Sequence, residues 1–168
     1  MGTMIQPMIA ELKEEAGTTK RVLERVPPDK LTWKPHAKSM TLGQLALHIA
    51  TVPAALAKLA QLDSFDVTHA VFVPPQPKDL SEILGAYDQS LREAEQTLQG
   101  MTNEYAGGTF RLMKKDKELF AMPRTGVLRS IMLNHWYHHR GQLSVYLRLL
   151  DVPVPVIYGR SADEDPFA

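Results

Sequence analysis

The sequence predicts an all-α fold, a four-helix bundle with long crossover connections. Three observations carry this. Four stretches of roughly 20 residues repeat their apolar side chains every three or four positions, two long irregular segments join them, and no part of the chain is rich in strand patterns. At 168 residues and 44% hydrophobic, the chain has the size of one domain, 1–168, with one sizeable core.

The first helix is expected near 4–26, where Ile5, Met8, Ile9, Leu12, Ala16, Val22, Leu23 and Val26 form an apolar stripe between charged residues. Pro7 is tolerable only in the first turn, and Pro27 and Pro28 should end the helix. Thr41 reads as the N-cap of a second helix near 41–62, with Leu42, Leu45, Ile49, Val52, Leu56 and Leu59 on one stripe. His48 flanks that stripe, and Pro53 should kink the helix or loosen its ladder just after it. Residues 63–78 read as a connection.

Asp79 and Glu82 have capping-box spacing and open a third helix near 79–99, which Gly100 closes. Residues 101–124 read as a long crossover with room for a short hairpin. Thr125 is expected to cap a fourth helix near 125–150, whose stripe includes Ile131, Met132, His135, His139, Gln142, Leu143 and Tyr146. The irregular tail 151–168, broken by proline, should lie over the surface.

Composition narrows the function. Nineteen basic and nineteen acidic residues cancel, so no global field favours nucleic acid or an anionic membrane. The absence of cysteine removes disulfides, thiolate ligands and a cysteine nucleophile, leaving histidine as the soft metal ligand. No run approaches the roughly 20 apolar residues of a membrane helix, and the N-terminus lacks a signal-peptide pattern, so a cytoplasmic protein is expected.

Three of the six histidines fall in LNHWYHHRGQL. His135 and His139, four apart, lie about 40° apart around a helix and roughly 5–6 Å apart at Cβ, within reach of one divalent ion. His48 is the best third ligand, because His36 and His69 fall in loops; His138, about 60° to the other side of His135, competes. Three imidazoles leave a coordination position open, as in catalytic zinc sites. Di-iron chemistry would need Glu-x-x-His pairs, which are absent, and haem attachment would need cysteine. Such a metal can activate water or hold a thiol as thiolate. Asp88 is a candidate general base for the hydrolytic version. Trp33, His36, Tyr137 and Arg140 are candidates for a substrate mouth, and Gln142 for orienting a ligand imidazole. A non-catalytic protein stapled by its metal is the competing class.

NHWYHHRGQL, taken with LGQLALHIA and TWKPHAKSMTLGQL upstream, resembles the DinB/YfiT-like superfamily of metal-binding four-helix proteins, from the first helix through Leu150. The resemblance implies that His48, His135 and His139 hold a divalent metal, commonly zinc or nickel, with His138 the extra histidine of the HHRGQ run. It also implies thiol S-transferase or isomerase activity using a low-molecular-weight thiol such as bacillithiol or mycothiol. Other relatives are labelled metal-dependent hydrolases. A small-molecule substrate and a homodimer complete what the family implies.

Overall fold

The computed structural model describes residues 4–167. Helix α1 (Gln6–Leu23) starts with proline in its first turn and buries Ile9, Leu12, Val22 and Leu23. It stops three residues short of the expected end. Arg25 and Val26 donate to Val22 and Leu23, three residues back, because Pro27 disfavours helical geometry in the residue before it.

Helix α2 (Leu42–Leu59) opens on a complete capping box: Gln44 N donates to Thr41 Oγ1 at 3.1 Å, and Thr41 N donates to Gln44 Oε1 at 3.0 Å. Just inside, Gly43 N donates to Leu31 O at 2.8 Å, and a Cβ there would stand 2.7 Å from Gln76 and 2.9 Å from Pro77. Pro53 lies within the helix and has no N–H, which frees the Ile49 carbonyl. That carbonyl accepts from Trp136 Nε1 at 2.9 Å, while Ala54 N donates to Ser90 Oγ at 3.0 Å. Two neighbouring helices thus supply partners where the ladder is interrupted. By length and composition α2 is apolar enough to cross a membrane, with mean hydropathy 1.3, yet 61% of it is buried inside the protein, as in a core helix.

In α3 (Leu80–Gln99), Asp79 Oδ1 accepts from Glu82 N at 2.8 Å, but the Glu82 carboxylate accepts from Lys78 N instead of closing the box on Asp79. Gly100 ends the helix with φ −77°, so its freedom at positive φ is not used. Helix α6 (Asn134–Leu149) continues from α5 (Arg124–Gly126) through π-helical turns at Val127–Leu133. The N-cap is Pro123 with no side-chain bond, so Thr125 is not the cap the sequence suggested. The four long helices form a ring in which α1 touches α3 and α6, and α2 touches α3 and α6.

The all-α expectation is corrected by a three-stranded sheet, so the fold is mostly helical without being a pure four-helix bundle. Strand β1 (Ser64–Asp66) pairs parallel to β2 (Thr109–Lys114), which pairs antiparallel to β3 (Lys117–Pro123); the short helix α4 (Asn103–Gly107) precedes β2. Opposite partners Phe110 with Met122 and Leu112 with Phe120 place four apolar side chains on one face. Phe110 is fully buried, a burial that stabilises by about 1.5–3 kcal/mol. A bulge leaves Leu119 unpaired and exposed. Lys115 turns the hairpin at φ 53°, a conformation that Gly or Asn adopts more readily.

Arg124 ties sheet to helix. Nearly buried, it donates to Asp63 at 2.5 Å, to the carbonyls of Leu62 and Thr109, and lies over the Tyr105 ring. The tail beyond Asp151 is irregular, as expected, and is held by Arg25 to Glu164 and by Arg148 to Asp163.

Candidate metal centre

Helix α6 presents two unlike faces. His135, His139 and Gln142 fall three and four apart and turn toward α2, whereas Tyr137 and Arg140 turn toward α1. On the first face, His48 of α2 meets both α6 histidines. Its Nε2 stands 3.0 Å from His135 Nε2, and the ring centroids of His48 and His139 are 4.5 Å apart. The His135 and His139 rings are 4.3 Å apart, and one nitrogen from each of the three lies within 4.8 Å of the others.

The protonation states suit a cation. Burial, with His139 and His135 alongside, lowers the His48 pKa from 6.5 to about 4. Burial likewise lowers His139 to about 4, although its bond to Gln142 acts in the opposite direction. His135 is also lowered, by burial and then by His138. All three imidazoles are therefore neutral near pH 7, the form that ligates a metal.

Gln142 Oε1 lies 2.7 Å from His139 Nδ1. An amide oxygen only accepts, so Nδ1 carries the proton and Nε2 keeps its lone pair. Nitrogens bound to one tetrahedral zinc at about 2.0–2.1 Å sit about 3.3 Å apart, close to the 3.0 Å between His48 and His135. The donor set fits one divalent ion.

His48 and His135 also line one end of a cavity of about 420 Å³. Apart from Thr51 its remaining walls are apolar, among them Val52, Leu56 and Leu59 from α2, Ile131 from the π-helical turns, and Phe65, Leu112 and Phe120 from the three strands. Val71 and Phe72 stand at its rim, 87% and 67% exposed. The short hairpin for which 101–124 had room is present as β2 and β3, but the sequence reading did not foresee β1 or that the hairpin would wall a cavity. The alternation of Phe110 with Leu112 and of Phe120 with Met122 was the available signal, masked by a turn lacking Gly and Asn.

The other expected site residues lie elsewhere. Asp88 pairs with Lys20 at 3.6 Å between α3 and α1, and is not part of the cavity wall. Tyr137 donates to Glu11 at 2.9 Å, and its pKa is raised chiefly by burial. Arg140, 1% exposed, donates to Glu15 at 2.6 Å and Thr19 at 3.0 Å, and contacts the Tyr137 and Tyr158 rings. These two fasten α1 to α6 and are not among the residues that line the cavity beside the histidines. Trp33 packs edge-on against Tyr146 at the start of α2, and His36 Nδ1 accepts from Lys38 N within a turn. His138 is exposed, with its ring 5.0 Å from that of His139.

Three histidines converging from the second and last long helices, in a mostly helical fold with a small sheet, define a helical protein able to hold one metal ion. The chain belongs to the DinB family, whose profile matches residues 1–165. It is similar to the uncharacterized protein YrdA of Bacillus subtilis (strain 168), at 24% identity over 89% of this chain and 85% of that one. Among solved structures it is similar in fold to a DinB-like protein from Bacillus cereus ATCC 10987, with TM-score 0.70, 24% identity and coverage of 94% of this chain and 100% of the other. The DinB-like protein YjoA of Bacillus subtilis superposes with TM-score 0.69 at 18% identity, covering 93% and 100%.

Proposed function

We propose that this chain is a metal-dependent enzyme of the thiol S-transferase type, in which His48, His135 and His139 hold a divalent ion, zinc or nickel, beside a small-molecule electrophile. The observation that carries the reading is the convergence of three neutral imidazoles, two of which, His48 and His135, line a cavity. A bound divalent ion supplies Lewis-acid activation, lowering the pKa of a thiol or water at the site.

The chain's own residues set the conditions. Gln142 fixes the His139 tautomer, burial keeps the imidazoles unprotonated, and the apolar walls exclude water from the reacting carbon. No carboxylate among the described residues lines the cavity or joins the histidine cluster. That removes a side-chain general base from the hydrolytic reading, whereas a thiol, far more acidic than water before any metal acts on it, needs none. A sulfur–carbon bond forms as the leaving group departs with its electron pair. The family resemblance further supports bacillithiol or mycothiol as the thiol, and a homodimer as the assembly.

The test is thiol consumption by metal-loaded protein with bacillithiol or mycothiol and an aryl chloride acceptor. Turnover above the protein-free rate, lost on chelation and in His139→Ala, is expected. Turnover indifferent to chelation would sink the metal-dependent reading, and full metal retention by His139→Ala would sink the ligand assignment.

A further inference from the structure

We infer that the cavity beside the histidines takes a neutral, apolar ligand group, aliphatic or aromatic, so that the electrophile and not the polar thiol fills it. The inference relies on the proposed function only for the reaction at the histidine end; the apolar character of the ligand follows from the walls.

At about 420 Å³ the cavity falls within the usual range of small-molecule sites. Among its lining residues only His48, His135 and Thr51 carry polar side-chain atoms. Thr51 Oγ1 already donates within its own helix, to Leu47 O at 2.9 Å with His48 O at 3.3 Å, so it offers a ligand no free proton. Among the described residues no Asp, Glu, Lys or Arg stands in the wall. A charged or sugar-like group entering here would lose its water and find nothing to replace it, whereas a hydrocarbon gains. All the polarity gathers at one end, where two of the three candidate metal ligands stand. The ligand that matches is apolar along its length with a single polar or reactive terminus facing His48 and His135. Val71 and Phe72 extend the apolar surface out to solvent at the rim. The exposed face of α2 reaches the wall through Ala55, a place where bulk can be added without entering the core.

The experiment uses N-phenyl-1-naphthylamine, a neutral fluorophore, with full-length protein both metal-loaded and chelator-treated. Saturable fluorescence gain is expected in both forms, displaced about tenfold better by 1-hexanol than by hexanoate of the same chain length. Ala55→Trp should weaken probe binding about tenfold with metal content unchanged, and Ala55→Glu, a substitution easily tolerated on an exposed helix face, should do the same. The inference fails if the probe does not bind, if hexanoate competes as well as hexanol, or if both Ala55 variants bind the probe like the parent. It also fails if the protein sediments as a dimer that takes up probe only after dissociation, since a second copy would then be the occupant. Full metal retention by His139→Ala with probe binding intact would overturn the ligand assignment alone; probe binding absent from the metal-loaded parent would overturn the cavity inference alone.

Discussion

The indole N–H of Trp136 donates to the carbonyl of Ile49 at 2.9 Å, and each of these residues directly follows one of the facing histidines, His135 and His48. The carbonyl is free because Pro53, four residues on, has no N–H. The bond therefore sets α6 against α2 one residue away from the candidate ligands. Trp136→Phe should cost about 1–3 kcal/mol, because a buried carbonyl loses its partner. In a Pro53→Ala background the restored N–H can serve that carbonyl, so the same substitution should cost less. Urea denaturation of the four proteins of this cycle measures the difference, and equal costs in both backgrounds would exclude the linkage.

Gln142 touches one histidine and fixes which nitrogen is bare. Gln142→Leu should lower metal affinity by about 10–100-fold while leaving the fold intact, and His139→Ala should lower it further. Competition against a chelator of known affinity, with elemental analysis of the purified variants, gives both values. An unaltered affinity in Gln142→Leu would mean that the amide has no positioning role.

The folded-state pKa values of His48 and His139, about 4, lie below the 6.5 of an unperturbed imidazole. The unfolded chain then binds protons first as pH falls. The stabilising contribution is fully present above pH 6.5 and is lost progressively as pH falls toward 4. Metal-free protein should show urea midpoints that decline across this window, with a shallower decline in the His48→Gln, His139→Gln double variant. Equal slopes in parent and variant would place the acid sensitivity elsewhere.

Arg140 and Glu15 form a nearly buried pair on the opposite face of α6. Arg140→Ala leaves the Glu15 carboxylate without its cation and should destabilise by about 3–5 kcal/mol. Metal affinity of the folded fraction should be unchanged, because the network joins α1 to α6 and not α6 to α2. Thermal melts paired with metal titration separate these effects. A large fall in metal affinity would show that the two faces are coupled.

Local patterns in the sequence were enough to determine the four long helices, the Thr41 cap, the place where Pro53 interrupts α2, the pairing of His135 with His139 and the service of Gln142 to His139, since each depends on residues within a turn or so of one another. Choosing His48 as the third partner needed a stripe on another helix, and the fold brings its ring against those of His135 and His139. What only the tertiary structure decided depends on contacts between distant segments. Phe65 pairs with Leu112 and Leu112 with Phe120, so the cavity wall exists only once three short strands meet. Tyr137 and Arg140 share a short sequence run with the histidines, yet successive residues on a helix point about 100° apart, and it is the packing of α1 that turns them into an internal fastening away from the site. Asp88 likewise follows the buried Tyr87 but faces Lys20. Helical periodicity says which residues share a face; which neighbour covers that face is settled by packing of the whole chain.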